Sequence, residues 1–224
     1  MTRSALLLAG LAMAASAPRV DVQQAPGVDL TATSANVSQP GSPISIRILR
    51  WSTDDERSSL IAAMTATPPT AASSTAPARG SRGAAPGRGG RAGARGRGDA
   101  AAPPNPIAAL TTAIGKAPTV GYVWTNAVTG YSIKYAYHAP LPDGSERIVL
   151  ATDRRLGAYS TAWKPAASAV TDYDFTLLEL RIDARGSGEG KASLTTKVVV
   201  DAKDRTLALE DYEAAPAVLQ NVRR

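Results

Sequence analysis

The 224-residue sequence predicts an α+β domain, a mainly antiparallel β meander of about eight strands with two helices. Three observations carry that expectation. The C-terminal half is a run of short apolar or alternating segments joined by brief links rich in Gly, Asp and Pro. Two separate stretches carry helix-start signatures. Between them, residues 65–106 form an Arg/Gly/Pro/Ala-rich segment in which no side chain is more apolar than Ala. Such a segment cannot bury enough surface to offset the entropy of ordering, so a disordered insertion into the domain is expected there.

Residues 1–17 read as a secretory signal. Arg3 supplies a basic start, residues 5–15 are apolar and uncharged, and Ala12-Met13-Ala14 fits the small-x-small cleavage pattern. Pro18 disfavours a cut after Ala17, which leaves cleavage after Ala14 or Ser16. The apolar run falls well short of the roughly 20 residues that a membrane-crossing helix needs. The expectation is therefore an exported chain, periplasmic or secreted, with no transmembrane segment.

The remaining elements follow in order. Residues 28–37 alternate loosely, and Ile44-Ser45-Ile46-Arg47-Ile48-Leu49 alternates clearly; both read as strands. Thr53 and Glu56 form a capping box, Asp54, Asp55 and Glu56 suit the positive helix end, and Leu60, Ile61 and Met64 supply an apolar stripe. Asn105-Pro106 opens the second helix, Ile107, Leu110 and Ile114 recur at helical spacing, and Gly115 is the expected stop. Strands lie outside both helices, and the piece before the insertion has only about 37 residues, too few for a domain of its own. Residues 28–224 are thus expected to form one domain interrupted at 65–106.

Strands are expected next at 120–125 and 131–137, the latter with Tyr131, Ile133, Tyr135 and Tyr137 on one face. Pro142-Asp143-Gly144 marks a turn, and residues 147–152 and 175–183 are further strands, with Leu178, Leu180 and Ile182 opposite Glu179, Arg181 and Asp183. Residues 186–190, rich in Gly, read as a hairpin turn into a strand at 192–200, followed by strands at 206–212 and 217–222. Short links imply antiparallel hairpins. An open sheet, a half-barrel and a sandwich all fit this pattern.

Composition narrows the chemistry. There is no Cys and a single His, which excludes thiolate catalysis, iron–sulfur clusters, cysteine-based zinc sites and multi-histidine metal sites. No cofactor and no metal are expected. Without disulfides the fold rests on its core, and about 155 residues outside the signal and the insertion suffice for one. The net charge of +6 is concentrated: Arg79, Arg82, Arg88, Arg91, Arg95 and Arg97 against Asp99 account for five of those charges. That segment has no aromatics to stack bases, and export removes it from cytosolic RNA, so no specific nucleic-acid partner is expected. A linker is its plain reading; weak contact with a polyanion is its functional one.

Few motifs carry chemistry. Residues 186–191 invite a phosphate-loop reading, but Ala192 follows Lys191 and a strand comes next, where that motif needs Ser or Thr and a helix. Asp153 ends one strand while Asp172 and Asp174 begin another; if those strands are neighbours, their carboxylates meet at one rim, where a pair can serve acid–base work or bind calcium. Strand-end capping and Asp–Arg pairing are the plainer reading. His138, at a strand end, is a candidate general base or simply an exposed residue. Tyr131, Tyr135, Tyr137 and Trp124 are candidates to line a ligand groove, with core packing as the alternative.

Two stretches, residues 46–57 and a set comprising 148–154, 172–181 and 186–191, together resemble a group of exported bacterial proteins of unknown function. The resemblance covers most of the folded part and excludes the Arg-Gly segment. It implies no activity, cofactor or site residue. The reading ranked first is an exported, non-catalytic binding or interaction module. A carboxylate-based hydrolase using Asp153, Asp172 or Asp174 is one alternative. An envelope protein touching polyanions through its Arg-Gly loop is the other.

Overall fold

Alternation is cleanest in the first hairpin. β1 (Val28–Ser34) pairs antiparallel with β2 (Pro43–Ile48). Leu30, Ala32, Ile44, Ile46 and Ile48 are buried on one face, whereas Asp29, Thr31, Ser45 and Arg47 face water on the other. The computed structural model describes residues 27–65, 105–125, 130–158, 161–165 and 171–224. The expected signal segment and the arginines of the insertion lie outside the described residues.

α1 (Asp54–Thr65) starts where the capping box places it. The Glu56 amide donates to Thr53 Oγ1 at 3.3 Å, and the Thr53 amide donates back to Glu56 Oε2 at 2.9 Å. Arg50 forks onto the same carboxylate at 2.9 and 2.8 Å. These Arg50 bonds hold the Glu56 carboxyl below its ordinary 4.5, with burial opposing and the Thr53 amide assisting. A depressed folded-state pKa stabilises above the unfolded value, and that stabilisation is lost as pH falls through the folded value. Glu56→Gln keeps the capping geometry but removes the charge. It is expected to cost about 1–2 kcal/mol at neutral pH, with the deficit shrinking in acid below the usual carboxylate range. Denaturant titrations of both proteins across pH test this; a deficit that stays constant down to about pH 2 would refute the assignment.

α2 (Pro106–Lys116) begins at Asn105, whose side chain accepts the Ile107 amide at 3.0 Å. It runs past the expected stop at Gly115 to Lys116. Pro118 ends it, because the residue before a proline is driven out of the helical region, and Ala117 is extended (φ −65°, ψ 148°).

The remaining strands are β3 (Gly121–Trp124), β4 (Tyr131–Pro140), β5 (Glu146–Thr152), β6 (Leu177–Ile182), β7 (Ser187–Ala192), β8 (Val198–Asp201), β9 (Thr206–Leu209) and β10 (Leu219–Arg223). Eight of them close into an antiparallel barrel in the order β1-β10-β7-β6-β5-β4-β3-β2, while β8 and β9 form a separate two-stranded sheet. Closure is made by β10, which inserts between β7 and β1. The α+β class with mainly antiparallel strands is therefore seen. Of the three sheet forms that fit the sequence, the closed one is adopted, and strands from both sides of the insertion build the same wall.

An eight-stranded barrel has an interior just wide enough for side chains to fill. Here Ile46, Val123, Tyr131, Ile133, Leu150, Leu180 and Leu219 fill it, among others. Its two ends are plugged by tryptophans. Trp163, in a 3-10 turn (Thr161–Trp163), is 2% exposed and packs among the interior side chains. Trp51 packs on the opposite end and stacks on His138 at 4.2 Å. A second core lies outside the barrel, where Leu60 of α1, Leu110 and Ile114 of α2, and Leu207 and Leu209 of β9 cover the wall at Tyr135, Val149 and Leu177. This explains why β5 reads as an uninterrupted apolar run: it is buried on both faces.

Three further expectations are corrected. β4 carries a bulge between Ile133 and Tyr135, and one extra residue inverts the alternation. Tyr131 and Ile133 therefore point into the barrel, while Tyr135 and Tyr137 point into the outer core. The Gly-rich residues 186–190 are not one turn. Gly186 (φ 76°) turns, whereas Gly188 and Gly190 lie within β7, and a Cβ on Gly190 would sit 2.4 Å from Leu180 Cδ2. The expected strand at 192–200 is two: it breaks after Ala192, where the chain leaves the barrel for β8.

Candidate functional site

Two of the three carboxylates proposed from sequence are engaged locally. Asp153 accepts the Ser132 amide at 3.1 Å and pairs with Arg154 at 3.0 Å. Asp172 is fully exposed and pairs with Arg155 at 3.0 Å; Asp174 is exposed as well. His138 is not brought to them. It lies six residues beyond Ser132 along β4, roughly 20 Å at about 3.3 Å per residue. There it bonds to Glu146 at 2.9 Å, and Glu146 in turn binds Arg224 at 2.7 Å. Among the described residues no group of three or more His, Asp or Glu is placed to hold a metal.

Two of the tyrosine candidates have structural partners. The Tyr131 hydroxyl, inside the barrel, accepts the Gly157 amide at 3.0 Å. The Tyr135 hydroxyl bonds to Thr206, and burial pushes its pKa up to about 12 against that bond, so it stays protonated. Tyr137 is partly buried under Arg57. Trp124 alone of the four aromatic candidates is exposed, at 39%.

A dense cluster of charges lies beneath the β8–β9 hairpin. Arg147 is 8% exposed and meets Glu179 (2.9 Å), Asp201 (2.8 Å) and Asp204 (3.3 Å). Glu179 also accepts the Leu209 amide at 3.2 Å. Tyr212 is held between Arg181, 3.8 Å from its ring centre, and Lys191 at 4.5 Å. Lys191 donates to the Tyr212 and Glu213 carbonyls at 2.6 and 3.2 Å. A cleft of about 380 Å³ adjoins these groups. These contacts tie β9 and residues 209–213 to the barrel wall, so this is a structural clamp.

Comparison with family models, curated proteins and solved structures returned no match.

The wall left open by the helices offers a different surface. The strand registers place Asp29, Arg47 and Tyr122 side by side on β1, β2 and β3, with Thr31, Ser45 and Trp124 as the adjoining rank. All six side chains face outward. The Tyr122 and Trp124 rings are 5.4 Å apart and tilted by 37°. Arg47 grips Asp29 through two bonds, 2.7 and 3.1 Å, and this bonding holds the Asp29 carboxyl below its ordinary range. A shallow cleft of about 290 Å³ runs between Asp29, Arg47 and Trp124. Trp124 was visible in the sequence as an aromatic; its union with Asp29, Arg47 and Ser45 was not. The signal available was the outward set of the alternating β2 segment, but its neighbours are decided by register.

Proposed function

We propose that this protein is an exported, non-catalytic binding module whose contact surface is the open outer wall formed by β1, β2 and β3. The observation that carries the reading is the exposed pair Tyr122 and Trp124, 37% and 39% accessible, whereas the other aromatics among the described residues, all outside this wall, are buried or partly buried. Large aromatics left at the surface beside polar groups are typical of binding sites. The filled interior argues against a ligand held inside the barrel. The basic, apolar and small-residue order of residues 1–17 supports export, in keeping with the resemblance to exported proteins. The engagement of Asp153 and Asp172 with neighbouring arginines, and the distance of His138 from them, weigh against a hydrolase.

A second reading places weak polyanion contact on Arg79, Arg82, Arg88, Arg91, Arg95 and Arg97. It is favoured by their charge and by the packing of α1 against α2, which sends out and receives the segment at one place. One co-sedimentation experiment with the cell-envelope fraction of a producing bacterium separates the readings. The wild type is expected to sediment with envelopes, the Tyr122→Ala/Trp124→Ala variant to stay in solution, and no soluble product to be released. Loss of sedimentation on deleting residues 66–104, with the aromatic variant unaffected, would move the contact to the arginine segment. Product release abolished by Asp153→Asn would establish the hydrolase instead.

A further inference from the structure

We propose that the Tyr122–Trp124 face binds an uncharged glycan chain. The inference rests on the binding-module reading and names its ligand. A sugar ring is amphipathic: its C–H face is apolar and its rim carries hydroxyls that both donate and accept. The wall presents the complement on one outward face. Two adjacent rings supply the apolar platform. One strand away Arg47 supplies donors, and on the next strand Asp29 supplies acceptors.

Charge selects among ligand classes. Arg47 and Asp29 neutralise each other and are both exposed, at 57% and 66%. The face therefore offers hydrogen bonds without a net field, which suits a neutral polyhydroxylated chain and not a polyanion. Ser45, Thr31, Arg47 and Asp29 interrupt the apolar surface, so it lacks the contiguous uncharged patch at which a protein partner or lipid would dock.

The platform is also preorganised. Gly130 lies against the edge of the Trp124 indole, where a Cβ would stand 2.9 Å from Nε1 and 3.0 Å from Cδ1. The missing side chain lets the indole settle on the backbone, so less freedom is lost on binding. Gly130 is thus a positioning residue for Trp124.

Isothermal titration calorimetry with soluble neutral oligosaccharides of glucose, N-acetylglucosamine, mannose and galactose tests the proposal, with heparin and polygalacturonate as polyanion controls. At least one neutral chain is expected to bind, with affinity little changed between low and high salt. Trp124→Ala should weaken it about tenfold or more, Trp124→Phe less, and Asp29→Ala and Gly130→Ala by intermediate factors. Thermal denaturation should be nearly unchanged for Trp124→Ala, because that ring lies outside both cores. Failure of every neutral chain, with envelope sedimentation still dependent on Trp124, would overturn the glycan assignment and leave the module reading intact. Binding of the polyanions alone, falling steeply with salt, would also overturn it. Loss of both sedimentation and glycan binding would end both proposals.

Discussion

Replacing Arg147 with Met is expected to cost about 3–5 kcal/mol of folding stability, because removal of one partner from a buried ion pair strands the other. Glu179 is 2% exposed, so its charge cannot be recovered by water, and Asp201 and Asp204 lose the cation that holds β8–β9 down. For a domain of this size the melting temperature should fall by about 10 °C. The double variant Arg147→Met/Glu179→Gln separates charge from packing. A Gln carbonyl still accepts the Leu209 amide that Glu179 now holds, while the buried charge is gone. The double variant is therefore expected to regain a good part of the loss. Paired thermal and denaturant unfolding of the two variants decides it. A single variant within about 1 kcal/mol of wild type would show that Arg147 does not clamp the hairpin.

Trp163→Ala is expected to cost a similar amount, about 3–5 kcal/mol, for a different reason. Its indole is 2% exposed and packs among the barrel side chains as the plug of one end. The backbone around it is fastened to the loop after β1, through Ser38 N–H to the Lys164 carbonyl (2.8 Å) and Gln39 N–H to the Ala162 carbonyl (3.2 Å). With that anchorage the site cannot collapse to fill the void, so the cavity term should be paid in full. The three tryptophans supply an internal ranking. Trp51→Ala, half-buried at the opposite end, should lose less, and exposed Trp124→Ala least of all. The order of unfolding midpoints tests this. A Trp163 variant as stable as the Trp124 variant would mean that the barrel end does not depend on its plug.

The two walls of the barrel differ in a way that bears on function. The β4–β6 wall is covered by helices and by the β8–β9 hairpin, and its charges are consumed in holding that cover. Among the described residues the β1–β3 wall has no such cover at Tyr122 and Trp124. Stability and the proposed recognition are thus assigned to opposite sides. Trp124 can be altered with little effect on the fold, whereas Arg147 cannot.

Local chemistry in the sequence was enough to determine the helix starts, several strands and the α+β class. The Thr53–Glu56 box and the Asn105-Pro106 cap act within a few residues, and the alternation of residues 44–48 needs one buried face and nothing else. The continuous apolar run of β5 also carried, in retrospect, the mark of a strand covered twice. What the tertiary structure alone decided was non-local. Closure depends on β10 meeting a strand almost the whole chain away. The β4 bulge, which sends Tyr131 inward and Tyr135 outward, depends on pairing with β5. The Asp29–Arg47–Tyr122 rank exists because two registers happen to align. Side-chain types and short spacings are written along the chain, but adjacency across strands follows from which hydrogen-bonded register buries the most apolar surface.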